Sequence, residues 1–294
     1  MVLGSHPPSF PTLHLRGFPF EWGQRTYLMG ILNVTPDSFS DGGEFVRLEA
    51  AVAQAEKLVA AGADVIDIGG QSTRPGAETV SLEVELQRVV PVVRALRVGA
   101  LGYGAVSLPI SVDTTRAAVA AAAVEAGADL VNDISGGMFD AEMLPTVARL
   151  GVPIVLMHLR GTPQTMQQLT DYENLVGEIV DFLADRIAAA IAAGIPRSHI
   201  IIDPGIGFAK TAEQNLEILR HLPELRALGC PLLVGPSRKS FIGRILEQSD
   251  PKARVWGTAA ACSAAIAGSA DILRIHDVEP MRDVCRVADA IFRT

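Results

Sequence analysis

Two carboxylates and an amide, Asp113, Asp203 and Asn132, each follow a short apolar run in this 294-residue chain. A carboxylate matches two parallel donors, as a guanidinium or an aminopyrimidinone edge presents, and an amide both donates and accepts. Together they could read a flat heterocycle carrying adjacent N–H and carbonyl groups. A paired-carboxylate hydrolase is the competing use, and it depends on a separation across the fold that spacing does not give.

A second set is cationic: Arg74, Arg238, Lys239 and Arg274, with His276 beside them. In a chain of net charge -8 their grouping after apolar runs suggests a bound anion such as phosphate. Arg238 alone reads as ordinary surface charge. Gly235-Pro-Ser-Arg-Lys-Ser240 is not a Walker motif, because the glycine spacing is wrong, but Lys239 lies where a helix N-terminus would help an anion. A diphosphate would bring Mg2+, and Asn33 with Asp37 or Asp41 offers hard oxygen ligands. His6, His14, His199 and His221 suggest no function.

The elements that must position these groups alternate strictly. Tyr27 to Val34 reads as a strand that opens into a polar stretch, Thr35 to Gly43, either a turn or a mobile lid. Helix and strand patterns then follow in turn: a helix at Leu48 to Ala61 stopped by Gly62, a strand at Asp64 to Ile68, helices near 82–96, 116–126, 141–150, 173–193 and 212–222, helical segments over 239–268, and a closing helix at 278–292. The intervening strands end at Asp113, Asn132, His158, Asp203, Gly235 and His276. Eight such pairs predict an α/β fold, the (β/α)8 TIM barrel, whose catalytic face is the C-terminal end of the strands. Asn33, Asp113, Asn132, His158, Asp203 and His276 all fall there. The triplet Gly-Ala-Asp at 62–64 and 127–129, echoed by Gly-Ser-Ala-Asp at 268–271, fits helix caps followed by strand starts. Residues 1–26 read as a lead-in with a short strand near Leu13 to Leu15 able to plug one end, and 27–294 as a single barrel domain.

Hydrophobic residues make up 49% and aromatics 5%, so the core must be built from Ala, Val, Leu and Ile. The acidic balance argues against nucleic acid and anionic membrane as partners. Cys230, Cys262 and Cys285 form no C-x-x-C pair and read as buried filler. No signal-peptide pattern or spanning apolar run is present, which makes a cytoplasmic protein the expectation.

Taken together, several segments closely resemble the dihydropteroate synthase family. They are Asn33-Val-Thr-Pro-Asp-Ser-Phe-Ser-Asp-Gly-Gly43, Gly69-Gly-Gln-Ser-Thr-Arg-Pro-Gly76, Ser111-Val-Asp-Thr114, Asn132-Asp-Ile134, Met157-His158, Asp203-Pro-Gly-Ile-Gly-Phe208, Ser237-Arg-Lys-Ser240 and Arg274-Ile-His-Asp277. The resemblance spans roughly residues 27 to 292 and implies a transferase that condenses a dihydropterin methyl diphosphate with p-aminobenzoate. It implies that Asp113, Asn132, Met157, Asp203, Phe208, Lys239 and Arg274 form the pterin site, with Asp113, Lys239, Arg274 and His276 catalytic. Asn33, Thr73, Arg74, Arg274 and His276 would meet the diphosphate, with Asn33 as the ligand to Mg2+. Phe39, Thr73, Arg74, Pro75 and Ser237 would shape the p-aminobenzoate pocket, which sulfonamides would enter as inhibitors. A homodimer is also implied, with the small-residue stretch 255–270 as a candidate interface.

Two departures stand out. Gln71 occupies the place of the family's usual Glu, which removes a charge from the second loop, and Ala209 replaces a commoner glycine and should only narrow backbone freedom. The alternative from another class is a methyltetrahydrofolate-binding barrel that acts with a corrinoid protein. Such a barrel would have no need for the Ser-Thr-Arg-Pro loop or the Ser-Arg-Lys turn.

Overall fold

A computed structural model describes residues 10–35, 44–74 and 76–293. A two-stranded hairpin, β1 (Leu13–Leu15) and β2 (Phe18–Phe20), precedes eight parallel strands. These are β3 (Tyr27–Asn33), β4 (Val65–Gly69), β5 (Ile110–Asp113), β6 (Leu130–Asp133), β7 (Ile154–Met157), β8 (Ile200–Asp203), β9 (Leu233–Val234) and β10 (Ile272–Ile275). They pair in the order β8-β7-β6-β5-β4-β3-β10-β9, and a bridge between Ile202 and Leu232 closes the ring. The outer layer contains α1 (Glu44–Ala61), α2 (Leu82–Val98), α3 (Ala117–Ala126), α4 (Met143–Leu150), α5 (Leu175–Ala192), α6 (Ala212–Arg220), α7 (Leu222–Arg226), α8 (Ser240–Ile245), α9 (Val255–Ala267) and α10 (Val278–Phe292). The chain is therefore a (β/α)8 barrel.

Strand parity sorts the side chains. Ile66 and Ile68 of β4 join the large cluster under the helices, while Val65 joins Met29, Leu130, Val155, Ile201, Leu233 and Ile272 inside the barrel. Leu13, Leu15, Phe20 and Trp22 of the lead-in pack onto that inner cluster, so the hairpin plugs the N-terminal end as the sequence suggested. The inward parity, followed toward the C-terminal ends, reaches Asp67, Asp113, Asn132, Met157, Asp203 and Arg274. One period of two thus runs from an apolar floor to a polar mouth.

The repeated Gly-Ala-Asp triplet has a specific job at the floor. Asp64 Oδ2 accepts the Leu28 amide at 2.8 Å, Asp129 Oδ2 accepts that of Ile110 at 2.9 Å, and Asp271 Oδ2 accepts that of Leu232 at 3.0 Å. Each carboxylate also pairs with an arginine, Arg25, Arg97 and Arg226 respectively. The aspartate before each of these strands therefore satisfies an amide near the start of the neighbouring strand, and the arginine neutralises the resulting charge.

Several boundaries move. The helical segments expected over 239–268 are α8, a 3-10 turn at Pro251–Arg254 and α9. The seventh barrel strand shortens to Leu233–Val234, α1 starts four residues earlier than expected, and the helix near 212–222 divides into α6 and α7. α6 begins in a capping box, with Thr211 and Gln214 each accepting the other's amide. Among the described residues no helix is long and apolar enough to cross a membrane.

Replacing Asp129 by alanine would strand the Arg97 guanidinium, whose side chain is 6% exposed, and the Ile110 amide. We expect Asp129→Ala to destabilise the barrel by about 3–5 kcal/mol in denaturant unfolding, and a loss below about 1 kcal/mol would show that the floor pair is dispensable.

Candidate active site

Arg274, projecting inward from β10, organises the mouth. Its Nε donates to Asp67 Oδ2 and its Nη2 to Asp113 Oδ2, each at 2.6 Å. Asn132 Nδ2 also donates to Asp67 Oδ2, at 3.2 Å. The consecutive strands β4 and β5 thus hold the guanidinium that β10 supplies from far along the chain, and β6 braces Asp67. Gly69 lies next to this group: a Cβ there would sit in ordinary contact with Asp113 Oδ2, at 3.5 Å. Asp67 is fully buried, and the sequence reading passed over it. The available signal was a charged residue at the inward parity of an otherwise apolar strand, which needs a buried partner.

Asp203 ends β8, and its Oδ1 accepts the Gly205 amide at 2.7 Å. The turn that follows depends on glycine. Gly205 has φ +72°, and a Cβ there would lie 2.1 Å from the His158 carbonyl oxygen. Gly207, with φ +83°, leaves room for Lys239, whose Nζ lies 4.1 Å from the centroid of the Phe208 ring. Phe208 packs with Ile134, Met157, Leu159 and Met166 in a small apolar cluster beside the mouth. Ala209 has φ +51°, so the glycine expected there would relieve left-handed strain; the substitution does more than narrow backbone freedom.

His158 is a correction. It directly follows β7, but it is buried, stacks edge-on against Phe182 of α5 at 4.9 Å, and has its Nδ1 3.0 Å from Lys210 Nζ. It belongs to the packing beneath the mouth. Lys210, also missed in the sequence, donates to the Phe208 carbonyl at 2.8 Å and so ties down the same turn.

Burial sets the charge states. It pushes Asp113 up to about 7 against the pull of Arg274, with Asp67 adding to the rise. It raises Asp203 to about 6, opposed by the Gly205 amide and by Lys239. Lys239 is brought down to about 8 by burial and by Arg274, and Lys210 to about 7 by burial. Burial also disfavours charge on Arg274, yet Asp67 and Asp113 outweigh it and raise its pKa, so it remains a cation. His276 falls to about 3 through burial and the nearby Arg238 and Arg274. In the ligand-free protein it offers a neutral N–H rather than the positive charge its grouping suggested.

The rim is divided. Ser237 Oγ accepts the His276 amide at 3.1 Å and lies 3.0 Å from its Nδ1, so these two residues hold each other. Thr73 is half-buried and Arg74 exposed on the β4–α2 loop. That loop is tethered by Gln164, whose Nε2 donates to the Ala77 carbonyl at 2.7 Å, and by the Gly76 amide on the Pro163 carbonyl at 3.1 Å. Gln71 lines the adjacent cavity together with Thr73 and Asp113. Arg238 does not join an anion site, because its guanidinium is engaged by Asp277. Phe39, Pro75, the acids Asp37 and Asp41, and most of the suggested lid lie outside the described residues.

Asn33 closes β3, half-buried, and its side chain makes no hydrogen bond among the described residues. Among those residues no trio of His, Cys, Asp and Glu converges to hold a metal alone. A single free carboxamide oxygen at the rim fits a Mg2+ ion that takes most of its ligands from water and phosphate.

Residues 29–276 match the family model described as pterin binding enzyme. The chain is also 61% identical to the dihydropteroate synthase of Synechocystis sp., over 93% of each chain. It belongs to the dihydropteroate synthase family. Among solved structures, a Xanthomonas albilineans dihydropteroate synthase with 4-aminobenzoic acid is 43% identical, with TM-score 0.87 over 96% of this chain and 98% of that one. A Yersinia pestis dihydropteroate synthase in complex with a sulfonamide drug is 42% identical, with TM-score 0.87 over 96% and 99%. For a dihydropteroate synthase, the mouth supplies what the reaction demands: hydrogen-bond acceptors and donors at the ends of neighbouring strands, and cations beside them.

Asp67→Asn keeps the shape but removes the charge that orients Arg274 and Asn132. The expected outcome is a fall of about tenfold to a hundredfold in kcat/KM with the melting temperature nearly unchanged. Steady-state kinetics at wild-type level would remove Asp67 from the working site.

Proposed function

We propose that this chain condenses 6-hydroxymethyl-7,8-dihydropterin diphosphate with p-aminobenzoate, giving 7,8-dihydropteroate and diphosphate, through loss of diphosphate before the new C–N bond forms. The observation that carries this reading is the Arg274 guanidinium held between Asp67 and Asp113, with Asn132, Asp203 and Lys239 around it. The Gly205 amide takes one lone pair of Asp203 Oδ1, which leaves the second lone pair of Oδ1 together with Oδ2 for the two parallel donors of an aminopyrimidinone. Asn132 supplies a second polar contact in the same mouth, and Met157 with Phe208 supplies an apolar wall.

Departure of diphosphate leaves positive charge on the exocyclic methylene. The carboxylate of Asp113 faces that side of the chemistry electrostatically, while Arg274 and the N–H of His276 receive the leaving anion. Ser237 Oγ accepts the His276 amide; the tautomer proposed has that hydroxyl donating to Nδ1, which would leave the ring proton on Nε2 for an incoming oxygen. A bound Mg2+, with Asn33 as its protein ligand, would neutralise charge on the leaving diphosphate. The aniline nitrogen of p-aminobenzoate is already a nucleophile at neutral pH, so no side chain need act as one. Thr73, Arg74 and Ser237 are the described residues proposed to border the space for this second substrate, the site at which a sulfonamide would compete; the family resemblance adds Phe39 and Pro75 to that set.

A second copy of the chain is the proposed partner. Trp256 at the start of α9 is 77% exposed, and Ile245 and Leu246 beside it are 56% and 43% exposed. So much apolar surface in one place favours coverage by another protein surface. The compartment proposed is the cytoplasm, in keeping with three buried, unpaired cysteines.

Purified protein with Mg2+ and both substrates should form dihydropteroate and release diphosphate in equal amounts. Lys239→Ala should lower kcat/KM by about a hundredfold or more without unfolding the barrel, read by product chromatography and circular dichroism. Absence of product from the wild type would overturn the reading.

Affinity for pteroate should weaken as the pH drops through about 6, because Asp203 must be ionised to accept two donors and burial has raised its pKa to that value. Calorimetry below pH 6 should also show proton release on binding. An affinity independent of pH from 5 to 8 would contradict the role given to Asp203.

Trp256→Arg should convert the dimer to monomer in light scattering, whereas an unchanged mass would exclude this face as the interface.

A further inference from the structure

Arg238 separates two residues of the candidate site, Ser237 and Lys239, and it does so in an unusual backbone conformation. Its φ is +58°, a left-handed value that favours glycine. Four restraints from three other elements hold it there. The Arg238 amide donates to Thr258 Oγ1 of α9 at 3.1 Å, and Thr258 is fully buried. The Arg238 carbonyl accepts from Arg254 Nη1 at 2.9 Å. The guanidinium makes a two-pronged pair with Asp277, Nε to Oδ2 at 2.9 Å and Nη2 to Oδ1 at 2.5 Å. Arg254 is itself fixed, since its Nε and Nη2 donate to the carbonyls of Gln248 and Ser249. Gly243 leaves space for it: a Cβ there would come within 2.5 Å of the Arg254 guanidinium.

We propose that Arg238 is a positioning residue, a latch that joins the 235–239 loop to α9 and to the turn after β10 and thereby sets Ser237 against His276 and Lys239 over Phe208. Asp277 follows His276 directly, so the pair joins the two loops that carry Ser237, Lys239 and His276 at the point where they meet. A left-handed backbone at Arg238 turns the chain sharply. Ser237 Oγ is thereby directed to His276, and the Lys239 side chain crosses the gap left by Gly207. Non-glycine residues stay in this conformation only where surrounding contacts over-determine it, and here they do. The guanidinium has committed two of its N–H edges to Asp277, so its part in the reaction runs through its neighbours. This inference rests on the proposed reaction for its kinetic readout, but the loop itself can be followed without turnover.

The test uses the full chain, four single variants, Asp277→Asn, Thr258→Val, Arg238→Lys and Arg238→Gly, and the double variant that combines Arg238→Lys with Asp277→Asn. Glycine suits the observed φ, so Arg238→Gly removes the latch without adding strain. Amide hydrogen exchange over residues 236–243 should accelerate in all four single variants relative to wild type, since lysine cannot make the two-pronged pair with Asp277. At a temperature well below melting, kcat/KM should fall by about tenfold to a hundredfold in the same variants, the scale of loss expected from misplaced groups. The losses of Arg238→Lys and Asp277→Asn should not add in the double variant, because both break one pair. A wild type that makes no product would defeat the reaction while the exchange data still judged the latch. The latch is overturned if Asp277→Asn matches wild type in exchange and activity while Arg238→Lys raises KM for one substrate alone, which would mean direct contact. Loss of melting temperature in step with activity, with exchange over 236–243 unchanged, would also overturn it by showing a merely structural role.

Discussion

One guanidinium inside a ring of strands is the constraint on which the site depends. Arg274 lies between the carboxylates of Asp67 and Asp113, and it supplies the ion-pair partner that a carboxylate with no exposure needs. The arginine in turn could not sit near the barrel axis without the two acids. The planar fork fixes direction as well as charge, because Nε and Nη2 lead to two different strands. Asn132 is oriented by the same Asp67 oxygen. The polar mouth is therefore one electrostatically coupled unit, and removal of any member leaves a buried group without its partner.

The rest of the fold makes that unit affordable. Below it the interior is apolar and sealed by the lead-in hairpin, whose Phe20 and Trp22 rings pack 5.7 Å apart and against Tyr27. The floor aspartates hold the strand starts in register with their neighbours. A rigid ring with a dry floor lets water reach the charges only from the mouth, where a ligand can displace it. Residues proposed to read the pterin stand on strand ends or on the glycine-built turn after Asp203. Those proposed for the second substrate stand on loops, tethered at a few points by Gln164, Asp277 and Thr258.

Much of this was legible before any coordinates. Parity along the strands marks which residues face inward, since a period of two is a local property of extended chain. The polar residues that end apolar runs mark the mouth, and the ordered series of motifs identified the family. The reading stopped short wherever a side chain's partner lies far along the chain. Asp67 looked like one acid in a strand because Arg274 is 207 residues away. His158 shared the strand-end pattern, but only the packing of α5 and the approach of Lys210 assign it to the layer beneath the mouth.

The sequence by itself determined the barrel, its alternation of strands and helices, and the chemical types available at the mouth, because periodicity, caps and residue type act locally. Only the tertiary structure decided which charges neutralise one another: Arg274 with Asp67 and Asp113, and Arg238 with Asp277 across 39 positions of chain. It also decided that Ala209 and Arg238 take left-handed backbone, a conformation their residue types disfavour and that long-range contacts must impose. Buried electrostatics depend on distance in space and on exclusion of water, and neither is a property of neighbouring residues in the chain.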